Sequence, residues 1–139
     1  MKGVFVDTAG WMACADRADP AHERARRARD AALETGKVLV TTDYVVDETL
    51  MLLRVRLSLA AAEAWWAQLE GSSRLRWEWI GVSRAGKARD VFFRHRDKNY
   101  SFTDCTSFVV MKELKLKQAL TTDRHFRQMG FKVLPVVAR

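Results

Sequence analysis

The chain has 139 residues, of which 48% are hydrophobic, and a formal net charge of +7. This length suits one domain, residues 1–139, that buries roughly 70% of its unfolded surface, and the scarcity of glycine and proline leaves little room for linkers. No apolar run approaches the roughly 20 residues that span a bilayer, and the first residues turn acidic too quickly for a signal peptide, so we expect a soluble cytoplasmic protein.

Strands and helices are predicted to alternate along the chain. Apolar runs, or an alternation of apolar and polar residues, predict strands at 2–6, 37–40, 75–80, 118–120 and 132–135. Helices are expected at about 8–15, 20–36, from 42 or 43 to 56, 58–71, 83–96, 103–116 and 124–129. Asp19, Thr42 or Asp43, and Ser58 are typical N-cap residues for three of these helices. Strands separated by helices indicate an α/β fold with a mostly parallel sheet and helices on both faces.

Three aspartates lie at positions that commonly contribute to active sites in such a fold. Asp7 directly follows the first strand and Asp123 follows the fourth, and sites in open α/β sheets form beyond the carboxyl ends of strands. Asp104 falls in the first turn of its helix, where the partial positive charge of the helix end keeps a carboxylate ionised. A lone aspartate at the position of Asp104 would more often than not be a simple helix-capping residue, and the same holds for Asp123. Together they predict acids that converge on one crevice.

A fourth acid comes from the helix predicted to begin at 42 or 43. Glu48 shares its helical face with the apolar Val45 and Leu52, whereas the adjacent Asp47 falls on a more polar face. An acid within an apolar face is costly unless something satisfies its charge. Glu48 is therefore the better site candidate, and Asp47 is expected to be solvated or paired with Arg54.

Crowded carboxylates are usually neutralised by a divalent cation, and their hard oxygens suit Mg²⁺ or Mn²⁺. Such ions orient phosphates and activate water, so the set predicts a metal-dependent enzyme that acts on phosphodiesters. Basic stretches at 24–29 and 84–98 attract polyanions, although ordinary solubility explains the positive charge equally well. The chain lacks the phosphate-loop, dinucleotide, nucleophile-elbow and HExxH motifs, and no cofactor other than the metal is expected.

Cysteine and histidine give no sign of a further metal centre. Cys14 and Cys105 belong to no CxxC or Cys/His cluster, and we expect two small buried side chains. His22, His95 and His125 have no spacing that places two of them on one helical face. We expect these histidines to lie at the surface or to contact the residues that bind the metal.

Four segments of the chain closely resemble the PIN-domain family. They are residues 4–8 (VFVDT), 46–50 (VDETL), 100–108 (YSFTDCTSF) and 119–126 (ALTTDRHF). They occur in the family's order and cover essentially the whole chain. Within the family they look most like the VapC-type toxins of toxin–antitoxin pairs.

The resemblance implies a three-layer α/β/α sandwich and an endoribonuclease that depends on Mg²⁺ or Mn²⁺. The family's catalytic and metal-binding acids carry over to Asp7, Glu48, Asp104 and Asp123. Three further residues match positions that support the site or adjoin it, namely Thr8, Ser101 and Asp97. The implied mechanism is in-line attack of water on RNA, leaving a 5′-phosphate and a 3′-hydroxyl. The implied partners are an RNA substrate, a small antitoxin protein and a second copy of the chain. Trp65, Trp66 and the early apolar helices are candidates for the antitoxin groove, although packing in the core is the more common role of each tryptophan.

Two other functions remain open from the sequence. One is a housekeeping PIN nuclease of RNA processing, which the absence of a neighbouring antitoxin gene would favour. The other is a catalytically silent module that binds RNA or protein through its basic surface. The intact set of four acids argues against the silent module.

Overall fold

Five parallel strands form the centre of the protein in the computed structural model, which describes residues 1–135. The strands are β1 (Gly3–Val6), β2 (Val38–Thr42), β3 (Leu75–Glu78), β4 (Gln118–Leu120) and β5 (Lys132–Leu134). The helices are α1 (Thr8–Ala15), α2 (His22–Glu34), α3 (Asp43–Arg56), α4 (Leu59–Gly71), α5 (Gly81–Arg94), α6 (Phe102–Glu113) and α7 (His125–Gln128). The order in the sheet is β3-β2-β1-β4-β5, and every strand pair in the described chain is parallel.

The helices are divided between the two faces of the sheet. Connections between parallel strands are almost always right-handed, so strands added in opposite directions send their helices to opposite faces. Helices α1–α4 connect β1, β2 and β3, whereas α5–α7 lie on the connections that return through β4 to β5. Helix α3 also contacts α6, which brings the two groups together beside the sheet. The predicted three-layer α/β/α sandwich with a parallel sheet is thereby confirmed.

The core consists of the central strands and the inner side of helix α6. Phe5 on β1 lies opposite Val40 of β2 and Ala119 of β4, and all three are fully buried. The rings of Phe108 and Phe126 meet edge to face, with their centroids 5.0 Å apart. The continuous apolar pattern of these strands follows from helices covering both faces of a parallel sheet.

Several element boundaries differ from those predicted. Helix α2 begins at His22, not at Pro20, because the Asp19 carboxylate accepts the Ala21 N–H at 2.8 Å and holds a turn before the helix. Strand β3 ends at Glu78, and Ile80 leaves the sheet to donate its N–H to Asp43 at 2.9 Å. No helix in residues 1–135 is both long and apolar enough to cross a membrane.

Candidate active site

The crevice at the carboxyl edge of the sheet lies between β1 and β4. β1 is the strand at which the order reverses, because β2 lies on one side of it and β4 on the other. Helices that leave neighbouring strands for opposite faces open a crevice at such a position. Asp7 follows β1 directly and Asp123 follows β4 by a short turn, so the topology brings these two acids to the same place.

Asp7 is the most buried acid of the site, with 5% of its surface exposed. Its Oδ1 accepts the backbone N–H of Gly10 at 2.8 Å, and its Oδ2 accepts the hydroxyl of Thr121 at 2.8 Å. Burial raises the pKa of this carboxyl to about 7; the two hydrogen bonds oppose the rise, and Asp123 and Asp104 add to it. A cation beside Asp7 would favour its ionised form at neutral pH.

Asp104 is fixed at the start of α6 by a reciprocal capping box. The Ser101 hydroxyl accepts the N–H of Asp104 at 2.9 Å, and Oδ2 of Asp104 accepts the N–H of Ser101 at 3.0 Å. Burial raises the pKa of the Asp104 carboxyl, although the Ser101 N–H and His125 act to lower it. The capping role and a role in the site are therefore compatible, since the cap holds the carboxylate in one orientation.

His125 links two of the acids. Its Nδ1 lies 2.8 Å from Oδ2 of Asp104 and 3.3 Å from Oδ2 of Asp123, whose Oδ1 accepts the His125 backbone N–H at 2.9 Å. Because an ionised carboxylate only accepts, Nδ1 carries the proton in this arrangement. His125 was expected at the surface or in support of the site, with no partner named. Its position two residues after Asp123 was the single local signal, since Asp104 is 21 positions away in the chain.

The four predicted acids line one cavity of about 250 Å³. Asp7 and Asp123 approach it from the sheet, Glu48 from α3 and Asp104 from α6. Two charged residues that the sequence did not assign to the site also line it, namely Asp19, which was predicted as a helix cap, and Arg56 from the end of α3. Among the described residues, the acids that line the cavity outnumber its one guanidinium group, that of Arg56.

The three residues expected to support the site differ in their placement. Thr8 lines the cavity, and its buried Oγ1 has no hydrogen-bond partner within residues 1–135. Ser101 holds Asp104 through the capping box. Asp97 is exposed, pairs with Lys98 at 3.4 Å and does not line the cavity, so the structure does not bring it to the site.

The donors in the cavity suit a hard divalent cation. Ligand atoms of Asp104, Asp123 and His125 lie within 4.8 Å of one another, while Asp7 and Glu48 line the same cavity outside this tight group. The unpartnered hydroxyl of Thr8 adds a further oxygen. With Nδ1 of His125 donating to Asp104, the free donor set consists mainly of oxygens, which Mg²⁺ and Mn²⁺ prefer.

Comparison with known proteins identifies the family of the chain. The sequence matches the family model of the PIN domain over residues 4–132. It is 34% identical over 130 residues to the 23S rRNA-specific endonuclease VapC20 of Mycobacterium tuberculosis, from two strains of that organism, and the alignment covers 92% of this chain and 95% of VapC20. The predicted class of activity, an endonuclease that acts on RNA, is the class of this relative.

Solved structures agree with the sequence comparison. The crystal structure of Mycobacterium tuberculosis VapC20, a toxin that cleaves the sarcin–ricin loop, superposes with a TM-score of 0.85 at 32% identity, covering 93% of this chain and 96% of the other. FitAcB of Neisseria gonorrhoeae shares the fold, with a TM-score of 0.61 at 17% identity over 94% of this chain and 95% of the other. The topology, the acidic crevice and these matches together show that the chain belongs to the PIN-domain family.

Proposed function

We propose that this protein is a metal-dependent endoribonuclease of the toxin type, which hydrolyses RNA phosphodiesters in the crevice between β1 and β4. The observation that carries the proposal is the convergence of Asp7, Glu48, Asp104 and Asp123 on one cavity from four separate elements. The similarity to VapC20 over nearly the whole chain supports the same activity.

The acids of the cavity would hold one or two Mg²⁺ or Mn²⁺ ions. When bound, such an ion lowers the pKa of a water molecule and offsets the charge that builds on the phosphate during attack. Asp7 has a buried carboxylate whose orientation is fixed by Gly10 and Thr121. His125 keeps a proton at Nδ1 and positions both Asp104 and Asp123. Addition of water to phosphorus with departure of the 3′ oxygen leaves a 5′-phosphate and a 3′-hydroxyl.

The substrate is proposed to be structured RNA cut at an unpaired loop. Proteins select RNA mainly through single-stranded loops, whose bases are open to contact. VapC20 is named for its action on 23S rRNA and is described as cleaving the sarcin–ricin loop. Ribosomal RNA is therefore the first substrate to examine.

The purified protein, freed of any bound partner, is the test of this activity. It should cut ribosomal RNA in the presence of Mn²⁺ or Mg²⁺, stop when EDTA is added, and leave ends that carry a 5′-phosphate. The Asp104→Asn variant is nearly isosteric and is expected to lose cleavage. Equal cleavage by this variant would point to a contaminating nuclease and would refute the site.

We also propose that a groove between helices α1, α2, α3 and α4 receives the antitoxin. The groove is lined by apolar side chains that include Leu53 and Leu57, with Arg17, Arg26 and Arg29 among the cations on its wall. Trp65 contributes one wall but is 6% exposed and packs edge to face on Trp11, so most of it belongs to the core. An amphipathic segment would match the apolar part of this groove, and an acid on that segment would meet Arg17, because Arg26 and Arg29 already pair with Glu23 and Asp30.

The groove is tested by co-expression of the protein with an antitoxin encoded beside its gene. Leu57→Asp should prevent the complex and leave RNA cleavage uninhibited. Leu59→Asp changes a more exposed leucine, 61% against 41%, that does not line the groove, and it should leave the complex intact. Equal binding by the two variants would argue against this surface.

A homodimer is the third part of the proposal. Exposed apolar side chains lie on α3, at Met51 and Val55, and on α5, at Val82 and Phe93, with exposures from 62% to 93%. A contiguous apolar patch commonly marks an interface between chains, and we propose that these two helices supply such a patch. Sedimentation should give a dimer for the wild type and a monomer for Val55→Glu combined with Phe93→Glu.

A further inference from the structure

Many of the basic side chains of this protein are already neutralised by acids. Arg26 pairs with Glu23, Arg29 with Asp30, Arg84 with Glu78 and Glu113, Lys87 with Glu113, Arg89 with Asp90, and Lys98 with Asp97. The basic members of these pairs all fall within the two basic stretches of the sequence, at 24–29 and 84–98. The net charge of +7 therefore resides largely on other cations, and their positions decide where a polyanion binds.

Three of the remaining arginines line a single cavity, here called the arginine cleft. Arg24 comes from α2, Arg124 from the turn after β4, and Arg127 from α7. The cavity has a volume of about 250 Å³ and an apolar side formed by Val133 and Pro135. Within residues 1–135, none of the three guanidinium groups makes an ion pair or a side-chain hydrogen bond.

The arginine cleft adjoins the candidate active site. Thr122 and Asp123 line both cavities, so the turn after β4 is their common wall. Among the described residues that line the cleft, Asp123 is the one acid. Its Oδ1 accepts the backbone N–H of His125, and its Oδ2 contacts Nδ1 of the same histidine. The arginines therefore border the candidate site directly at Asp123, and the three positive charges of the cleft outnumber its one described acid.

We propose that the arginine cleft binds a backbone phosphate of the RNA close to the phosphate that is cleaved. Guanidinium groups are planar, remain charged and form paired hydrogen bonds with phosphate oxygens. The apolar side of the cleft matches the sugar or base that accompanies the phosphate. Such contacts carry no base specificity, and they set the register of the strand on the enzyme. The proposal rests on the proposed function for the nature of the polyanion.

The test measures binding apart from cleavage. The probe is a fluorescein-labelled single-stranded oligouridylate, and its anisotropy is followed in EDTA over a range of salt concentrations. Each phosphate contact that is removed lowers the slope of log K against log salt by about 0.7. The variant Arg24→Ala/Arg124→Ala/Arg127→Ala removes one such contact and should therefore lose about 0.7 from the slope, so its affinity should fall about 2.6-fold less than that of the wild type between 0.05 M and 0.2 M salt.

Lys117→Ala is the matched control. Lys117 is also exposed and precedes β4, at the opposite edge of the sheet from the crevice, so its removal should leave the slope within error of the wild type. In the cleavage assay the triple variant should raise KM with little change in kcat, because the arginines do not contact the reacting phosphate.

If the slope of log K against log salt is the same for the triple variant and the wild type, the proposal is overturned. An acidic protein would then be the partner to test for the cleft. Because the binding assay contains no metal, a protein that binds the probe through these arginines yet cuts no RNA would refute the proposed function alone.

Discussion

The Thr121 hydroxyl donates to Oδ2 of Asp7 across 2.8 Å, although the two residues are 114 positions apart in the chain. The hydroxyl oxygen of Thr121 also accepts the backbone N–H of Asp123 at 2.9 Å. One hydroxyl thus connects the acid that follows β1 to the acid that follows β4. This connection depends on the pairing of β1 with β4, in which Val6 lies opposite Leu120.

Replacing Thr121 by valine should impair the site without unfolding the protein. The change keeps the shape of the side chain but removes both hydrogen bonds, one of which lowers the pKa of Asp7. The pKa of Asp7 in the metal-free protein should therefore rise further, and the pH profile of cleavage at limiting Mn²⁺ should shift to higher pH, because a protonated Asp7 does not bind the ion. Thr121→Ser keeps the hydroxyl and should restore the wild-type profile. An unshifted profile for the valine variant would assign Thr121 to packing alone.

In the metal-free protein, the contribution of Asp7 to stability should decrease as the pH rises from 4 to 7. Its pKa is raised from 3.8 to about 7 by burial, so over this range the folded state binds more protons than the unfolded state. This contribution is then lost with rising pH, until the carboxyl is ionised in both states. The isosteric Asp7→Asn removes this effect and should exceed the wild type in stability at pH 8, by about 4 kcal/mol at most.

Urea unfolding in EDTA at pH 5 and pH 8 measures this effect. The difference between the Asn variant and the wild type should be small at pH 5 and clear at pH 8. Added Mn²⁺ should reverse the order at pH 8, since it stabilises only the wild type. A difference of the same size at both pH values would show that Asp7 does not titrate in this range.

His125→Asn should weaken metal binding rather than folding. The histidine orients Asp104 and Asp123, and loss of such an outer partner typically lowers metal affinity by about 10- to 100-fold. Isothermal titration with Mn²⁺ gives the affinity directly. His95→Asn is the control, because the His95 ring bonds to the Val91 carbonyl and does not line the cavity. Equal affinities for the two variants would remove His125 from the site.

The sequence predicted the helices and strands well where local chemistry controls them. Thr42 and Ser58 cap α3 and α4 as expected, since the hydroxyl of each accepts an N–H three residues later. The prediction was wrong where the boundary of an element depends on a contact with a residue distant in the chain. Ile80 leaves β3 because Asp43, 37 positions away, accepts its N–H, and no local pattern encodes that contact. The same reason hid the partner of His125. Asp7, Asp104 and Asp123 were visible because strand ends and helix starts have local signals, and Glu48 was visible because it falls on an apolar helical face.

Gly10 marks a close approach that only glycine permits. A Cβ at this position would lie 2.1 Å from the backbone oxygen of Leu120, which cannot move without disturbing β4. Gly10→Ala should therefore destabilise the fold by about 1–3 kcal/mol or more, and it should displace the N–H that binds Asp7. Gly86→Ala is the control, because open space surrounds that position in α5, and it should stabilise by about 0.5–1 kcal/mol. Thermal unfolding of the two variants at one pH makes the comparison.

Arg56 should contribute to cleavage itself, because it is the one guanidinium on the described wall of the acidic cavity. A cation there would offset charge on the scissile phosphate, and loss of a comparable group lowers kcat by about 10-fold or more. Arg54 lies two positions earlier on α3, is also exposed and does not line the cavity, which makes Arg54→Ala a closely matched control. Single-turnover cleavage at saturating RNA should be slow for Arg56→Ala, near normal for Arg54→Ala and partly restored in Arg56→Lys. Equal rates for the two alanine variants would place Arg56 outside the reaction and confine its role to general attraction of RNA.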